Sequence, residues 1–125
     1  MKPLQPLLLS GLLVLSSTLA PSLAEAQAKQ DFRLTNHTGY EIEEVYVSET
    51  KADDWEEDVL TDDTLEDGSS VDISFARKSK ACNYDLKVIY SDKEEAEWRK
   101  IDLCSISSIT LHYTRKTGET WITTG

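Results

Sequence analysis

The stretch "CNYDLKVIYSDKEEAEWRKIDLC", residues 82–104, decides the fold of this chain. Its first half alternates with a period of two, as in a half-buried strand. The residues that share one face are Cys82, Tyr84, Leu86, Val88 and Tyr90. The turn "SDKEEA" leads directly into "EWRKIDLC". The two runs therefore predict an antiparallel hairpin with a connection of about four or five residues.

The two cysteines of the chain, Cys82 and Cys104, fall at the open end of this hairpin when residues are counted outward from the turn. In an oxidising compartment an isolated pair most often forms a disulfide. The bridge would close a loop of about 22 residues and contribute roughly 3 kcal/mol of stability. Zinc fits the pair poorly, because no histidine lies near either cysteine in the sequence. We therefore expect a structural disulfide.

Further runs of β-branched and aromatic residues, bounded by turn residues, continue this pattern along the chain. They are "DFRLTNH" (31–37), "EIEEVYVS" (41–48), "SSVDISF" (69–75), "SISSITLHY" (105–113) and "ETWITT" (119–124). The second run breaks its alternation at Glu43 and Glu44, as a β-bulge would allow. The last run is either an edge strand or a frayed tail.

Together these runs predict an all-β fold, namely a small antiparallel β-sandwich, immunoglobulin-like, with about six or seven strands and one disulfide. A small β-barrel is the alternative. The one helical candidate is a turn over residues 54–60, where an aspartate would cap the first turn.

The N-terminus has the pattern of a secretory signal peptide. Lys2 precedes the apolar run "LLLSGLLVLSSTLA" (7–20), and small residues of a cleavage site follow it. We expect residues 1–28 to be cleaved and residues 29–125 to form a single β-sandwich domain of about 97 residues. An uncleaved membrane anchor is the alternative. The mature protein is then expected to be periplasmic or secreted.

The formal net charge is −10, from 23 acidic and 13 basic residues. Nucleic acids and anionic membranes are bound through clustered Lys and Arg, so this balance argues against both as partners. After signal cleavage no second apolar segment remains for membrane insertion. We expect a monomer whose partner is a protein or a small ligand, and the charge favours a cationic one.

The acidic stretch, residues 51–68 with the sequence "KADDWEEDVLTDDTLEDG", holds nine carboxylates and one lysine. Three interpretations stay open: a solvated loop, a divalent-cation site and a surface for a basic partner. Calcium is the cofactor to consider, since it takes several oxygen ligands from a loop, although the spacing is not that of an EF-hand. The candidate metal ligands are Asp53, Asp54, Asp58, Asp62 and Asp63, and the candidate binding residues are Trp55, Glu56 and Glu57.

Apolar residues within the acidic stretch predict that it folds back onto the sandwich. They are Trp55, Val59, Leu60 and Leu65. A disordered loop would not need them, and their packing would fix the carboxylates in space. Among the other tryptophans, Trp98 is expected in the core and Trp121 at the surface.

Catalytic motifs are not evident in the sequence. His37 and His112 are the only histidines, and neither lies near a Gly-x-Ser-x-Gly nucleophile motif. We therefore expect no enzymatic activity and no certain cofactor. The alternative is an enzyme of unrecognised, hydrolytic type that uses carboxylates of the acidic stretch with one of these histidines.

A series of short motifs resembles a family of small exported bacterial proteins of unknown function. The motifs, in order, are N-x-T-G-Y (36–40), Y-V-S (46–48), D-D-W (53–55), D-V-L (58–60), Y-D-L (84–86) and D-L-C (102–104). The resemblance implies export and a β-rich fold, but no reaction. Short proteins of this kind sometimes carry an argininosuccinate lyase label. The residues argue against that label, because a short β-rich chain cannot build the active site of a long, helical enzyme.

Overall fold

A computed structural model of the protein describes residues 28–52 and 54–125. Residues 1–27 of the expected signal peptide, and the candidate ligand Asp53, lie outside the described residues. Seven β-strands follow in chain order. They are β1 (Phe32–His37), β2 (Ile42–Glu49), β3 (Ser70–Ile73), β4 (Asn83–Tyr90), β5 (Glu95–Asp102), β6 (Ser108–Thr114) and β7 (Glu119–Thr124).

The strands form two sheets, one in the order β3-β1-β6-β7 and the other in the order β2-β4-β5. The predicted all-β fold, with seven strands in two sheets and one disulfide, is confirmed. The last run is an edge strand, because β7 pairs with β6 along its length. The predicted irregularity in β2 is also present, as its register with β4 shifts between Ile42 and Glu44.

The β4–β5 hairpin has the predicted form. The amide of Tyr90 donates to the carbonyl of Glu94 at 2.8 Å and closes the turn, in which Lys93 has a φ of 76°. At the open end the sulfurs of Cys82 and Cys104 are bonded, with their Cα atoms 5.2 Å apart. The amide of Leu103 also donates to the carbonyl of Cys82 at 2.8 Å. A covalent bond and a backbone hydrogen bond therefore hold the same end of the hairpin.

One pairing departs from the antiparallel prediction, because β1 and β6 run parallel. Parallel neighbours need a long crossover connection. Here the chain between them passes through the whole β2-β4-β5 sheet before it returns. Alternation along a strand reports which face is buried but not the direction of its neighbour, so the sequence did not reveal this pair.

The core lies between the two sheets and is built from the inward face of each strand. In β4 the predicted face is buried at Tyr84, Leu86, Val88 and Tyr90. Trp98 is partly buried and packs against the core, as expected. The other fully buried apolar side chains include Leu34, Ile42, Val45, Leu103, Ile109 and Leu111.

The turn expected over residues 54–60 is not helical. Those residues form an irregular connection that ends in hydrogen-bonded turns, in which Thr61 donates to the Asp58 carbonyl and Asp63 to the Leu60 carbonyl. Within the described part of the chain, no helix has the length and apolar character that a membrane crossing requires.

Candidate functional site

The acidic stretch is anchored at its centre by backbone pairing with β2. The amide of Val59 donates to the carbonyl of Val45 at 2.8 Å. In return, the Asp58 carboxylate accepts from the amides of Val45 at 2.8 Å and Leu60 at 3.0 Å. The Leu60 side chain is buried in the core. Asp58 is therefore a structural acceptor, and the sequence reading of it only as a metal ligand missed this role.

The end of the acidic stretch is anchored separately, at the start of β2. Leu65 and Ile42 exchange both backbone hydrogen bonds, at 2.8 and 2.9 Å, and both side chains are buried. The predicted folding back of this segment is thus seen in the structure. Its carboxylates project from a chain that is held at two points, rather than from a free loop.

Trp55 lies over the outer face of the β2-β4-β5 sheet. Its ring receives the Lys87 ammonium at 5.2 Å and the Arg99 guanidinium at 5.9 Å from the ring centroid. The neighbouring amide of Glu56 donates to the Ser48 hydroxyl at 3.1 Å. Trp55 is therefore half-buried, and these contacts attach the acidic stretch to the sheet. Its role as a binding residue stays a prediction.

Asp85 is a buried carboxylate that the sequence analysis did not single out as a site residue. It is 4% exposed and lies in β4, the central strand of its sheet. Its Oδ1 accepts from the Thr50 hydroxyl at 2.9 Å and from the Lys100 amide at 3.0 Å, and its Oδ2 accepts from Arg99 at 3.1 Å. Asp85 thereby ties the start of the acidic stretch to β5. Alternation in β4 places Asp85 on the face opposite Tyr84 and Leu86, so the sequence carried no signal that this carboxylate would be buried.

Replacing Asp85 with alanine is expected to lower the free energy of unfolding by about 2–3 kcal/mol, since it removes a buried acceptor from three donors, the Thr50 hydroxyl, the Lys100 amide and the Arg99 guanidinium. Urea unfolding of the purified domain measures the change. The control is Glu97→Ala, which removes the other carboxylate bonded to Arg99 but lies at the surface. That variant should lose at most about 0.5 kcal/mol. Equal losses in the two variants would contradict the role given to Asp85.

Burial and nearby carboxylates raise the pKa of two tyrosines in the β2-β4-β5 sheet. A hydrogen bond to Glu44, with burial and the charges of Glu44 and Asp58, raises the pKa of Tyr46 to about 12. Burial, followed by the charges of Glu49 and Glu56, raises the pKa of Tyr84. Both phenols are therefore uncharged at neutral pH, and the carboxylates supply the local potential.

The candidate metal ligands are not gathered into one cluster among the described residues. Asp54, Asp62 and Asp63 are exposed, while Asp58 caps the turn described above. In the described ranges, 28–52 and 54–125, the one group of three closely spaced ligand atoms comprises Cys82, Asp102 and Cys104. Its two sulfurs are joined in the disulfide and are not available as thiolates. Calcium binding by the acidic stretch stays a prediction.

Glu56 and Glu57, two of the candidate binding residues, line a groove between the acidic stretch and β3. This acidic groove has a volume of about 520 Å³ and is lined by Val47, Glu56, Glu57, Asp58, Val59, Thr61, Asp72, Ile73 and Ser74. Val59 is 38% exposed, which is high for a large apolar side chain. The groove therefore combines apolar lining side chains with carboxylates from two separate segments of the sequence.

The two histidines lie on neighbouring strands of the other sheet. His37 of β1 is opposite His112 of β6, with ring centroids 5.7 Å apart. His112 in turn stacks on Trp121 at 5.1 Å, and its Nε2 lies 3.0 Å from the Thr123 hydroxyl. Trp121 is 40% exposed, as expected. Neither histidine lines the acidic groove. Both line another cavity, of about 500 Å³, together with Asp67 of the acidic stretch.

Comparison with known proteins supports the fold and adds no activity. No protein-family model matches the sequence, and no curated protein is similar to it. A similar solved structure is the NMR structure of a protein from Eubacterium rectale. It aligns with a TM-score of 0.55 at 13% identity, over 81% of this chain and 90% of that one. At this identity the likeness shows a shared fold alone, and the resemblance to small exported bacterial proteins stays a prediction.

Proposed function

We propose that this protein is an exported, non-enzymatic binding module that accepts a basic segment of a partner protein in the acidic groove. The observation that carries the proposal is the composition of the groove. Glu56, Glu57 and Asp72 supply its negative charge, and Val47, Val59 and Ile73 add apolar side chains to its lining. The disulfide supports export, because such bonds persist in oxidising compartments.

Lysine and arginine side chains match such a groove. Their aliphatic stems bury well on apolar surface while their charged heads stay near carboxylates and water. Val47, Val59 and Ile73 would take the stems, and Glu56 and Glu57 the heads. The net charge of −10 would also steer a cationic partner toward the protein.

The anchoring of the acidic stretch favours binding. A free loop would lose conformational entropy on binding, which weakens affinity. Here the pairing of Val59 with Val45, and of Leu65 with Ile42, already orders the segment in the unbound protein. One ion pair inside the site competes with a partner, since Arg33 lies 3.2 Å from Asp72. Both side chains are more than half exposed, so little free energy is lost when a basic residue of the partner replaces Arg33 beside Asp72.

The acidic groove can be tested by NMR titration of the oxidised mature domain with a tetralysine peptide. The fully acetylated peptide, which has the same length and no side-chain charge, is the control ligand. We expect saturable shifts of the Glu56, Glu57 and Ser74 amides with the charged peptide. The double variant Glu56→Gln/Glu57→Gln should bind about tenfold more weakly.

The matched control variant is Asp62→Asn/Asp63→Asn, which removes the same charge from the same segment outside the groove lining. Equal loss of affinity in the two double variants would show diffuse attraction and overturn the groove assignment. A divalent cation is the alternative occupant of the acidic stretch. A saturable rise in melting temperature with calcium, but not with magnesium, after chelation would favour that alternative.

A further inference from the structure

A second cavity, separate from the acidic groove, lies at the other edge of the two sheets. It has a volume of about 390 Å³ and opens between the β4–β5 turn, the start of β5 and the β6–β7 hairpin. Its lining consists of Tyr40, Tyr90, Asp92, Glu94, Glu95, Ala96, Tyr113, Gly118 and Thr120. We call it the tyrosine cavity. It shares no lining residue with the acidic groove.

Three tyrosine rings from distant parts of the chain meet in this cavity. The Tyr40 and Tyr113 centroids are 5.5 Å apart, and Tyr90 lies 6.5 Å from each of them. The rings are tilted at 57° to 81° to one another, so they pack edge to face rather than as a parallel stack. The face of a tyrosine ring carries negative electrostatic potential and attracts cations.

The ring of Tyr40 already attracts a cation of the protein itself. The Arg115 guanidinium lies 5.5 Å from its centroid. Arg115 is exposed, so this contact forms at the surface beside the cavity. The rings of Tyr90 and Tyr113 have no such partner among the described cation and ring contacts. The partly exposed ring of Tyr113 therefore has no cation of the described protein on it, whereas Tyr90 is too buried to receive a cation from solution directly.

Tyr90 forms the deepest part of this wall. It is 7% exposed, and its hydroxyl has no hydrogen-bond partner among the described residues. Burial raises the pKa of Tyr90, and although Thr38 is close enough to oppose that rise, no hydrogen bond of normal geometry joins them. The phenol is therefore neutral at physiological pH and contributes an aromatic surface rather than a charge.

Three carboxylates line the cavity, and none of them forms an ion pair within the described ranges. Asp92, Glu94 and Glu95 are all exposed members of the lining. The one lysine of the turn, Lys93, is paired with Glu43 of β2 instead. The three carboxylates do not converge on a single point with other metal-ligating groups in the described ranges. Their charge thus acts over the whole opening, which suits a large, diffuse cation better than a metal ion.

We propose that the tyrosine cavity binds a small organic cation with a methylated ammonium group. Such a cation carries its charge over methyl groups, which pack on aromatic faces and are weakly hydrated. The aromatic wall would receive the methyl groups, and the carboxylates of Glu94 and Glu95 would balance the charge. This inference goes beyond the acidic groove and does not depend on it.

Tetramethylammonium is the probe for this site, because it has no other recognisable group. In an NMR titration of the oxidised mature domain we expect saturable shifts of the Ala96, Gly118 and Thr120 amides. For a ligand of this size the dissociation constant should be on the order of a millimolar. Tert-butanol, which has a similar shape and no charge, is the control ligand and should cause no saturable shift at these amides.

Variants separate the contributions of the aromatic wall and of the charge. Glu94→Gln/Glu95→Gln changes only exposed side chains and should weaken binding about fivefold or more. Tyr113→Leu should weaken it about tenfold by removing a ring face. Arg115→Gln should leave binding equal or strengthen it, because it removes a competing cation. The groove variant Glu56→Gln/Glu57→Gln and the control Asp62→Asn/Asp63→Asn should both leave binding unchanged.

The possible results are distinct. Saturable shifts with tetramethylammonium alone, lost in the Glu94→Gln/Glu95→Gln variant, would support the site. Equal shifts with tert-butanol would show an apolar cavity without preference for charge and would overturn the proposal. Linear shifts with tetramethylammonium, or shifts that persist in the carboxylate variant, would overturn it as well. None of these outcomes depends on the tetralysine titration, so the two proposals fail independently.

Discussion

Replacing both Cys82 and Cys104 with alanine is expected to lower the free energy of unfolding by roughly 3 kcal/mol, because the disulfide closes a loop with a sequence separation of 22 residues. The unfolded chain gains conformational freedom when that loop is opened, whereas the folded state loses little. The hydrogen bond from Leu103 to Cys82 and the burial of Leu103 still hold the open end of the hairpin. The variant should therefore keep the same fold at lower stability.

Urea unfolding monitored by circular dichroism measures this change, and the slope with denaturant provides a check on the compactness of the unfolded state. Reduction of the unmodified protein is the matched control, since it breaks the same bond without any substitution. The losses of unfolding free energy in the double variant and in the reduced protein should agree within about 1 kcal/mol. A loss below about 1 kcal/mol in both would show that the loop is constrained by residual structure when unfolded.

Replacing Asn36 with alanine is expected to have a comparable or larger effect, about 3 kcal/mol or more, because several buried groups lose their partner together. Asn36 is fully buried. Its side-chain amide donates to the carbonyls of Tyr40 at 2.8 Å and Leu65 at 2.9 Å. Its Oδ1 accepts from the amide of Thr38 at 3.0 Å and from the Thr38 hydroxyl at 2.7 Å.

This network explains the N-x-T-G-Y motif in structural terms. Thr38 bonds back to Asn36, and Gly39 takes a φ of 87° that favours glycine. The resulting turn carries Tyr40 toward the tyrosine cavity. The bond from Asn36 to Leu65 also joins the end of β1 to the end of the acidic stretch. Loss of Asn36 should thus loosen both candidate binding regions.

Thermal and urea unfolding of the Asn36→Ala variant provide the measurement. Thr35→Ala is the control. Thr35 lies next to Asn36 on β1, but its side-chain hydroxyl is hydrogen-bonded only to the hydroxyl of the exposed Ser70. That variant should lose less than about 1 kcal/mol. Asn36→Asp places a buried carboxyl group against the carbonyl oxygens of Tyr40 and Leu65, so it should destabilise the protein at least as much as Asn36→Ala. Equal stability of the Asn36 and Thr35 alanine variants would refute the role of this network.

Local patterns were sufficient to predict the β4–β5 hairpin and its disulfide. Alternation in β4 defined the buried face, and the distance of each cysteine from the turn placed Cys82 and Cys104 together. The folding back of the acidic stretch also followed from its apolar residues, since Leu60 and Leu65 had to be buried somewhere. These inferences use only residues that are close in the sequence. The geometry of a strand fixes which of those residues lie side by side on one face.

The roles of polar residues were harder to predict. Asp58 was one of many acidic candidates in the sequence, and only its hydrogen bonds to Val45 and Leu60 show that it is a structural acceptor. Asp85 and Asn36 are similar cases, because a polar side chain in a strand is compatible with either a surface or a buried network. Composition does not distinguish these possibilities, since the partners come from other segments.

The sequence by itself determined the all-β class, the hairpin, the disulfide and the negative charge, because each depends on local period, residue type or count. Only the tertiary structure decided that β1 runs parallel to β6 and that Tyr40, Tyr90 and Tyr113 line one cavity. Those contacts join residues far apart in the chain. They arise from how two sheets pack and cross over, and strand alternation carries no record of that packing.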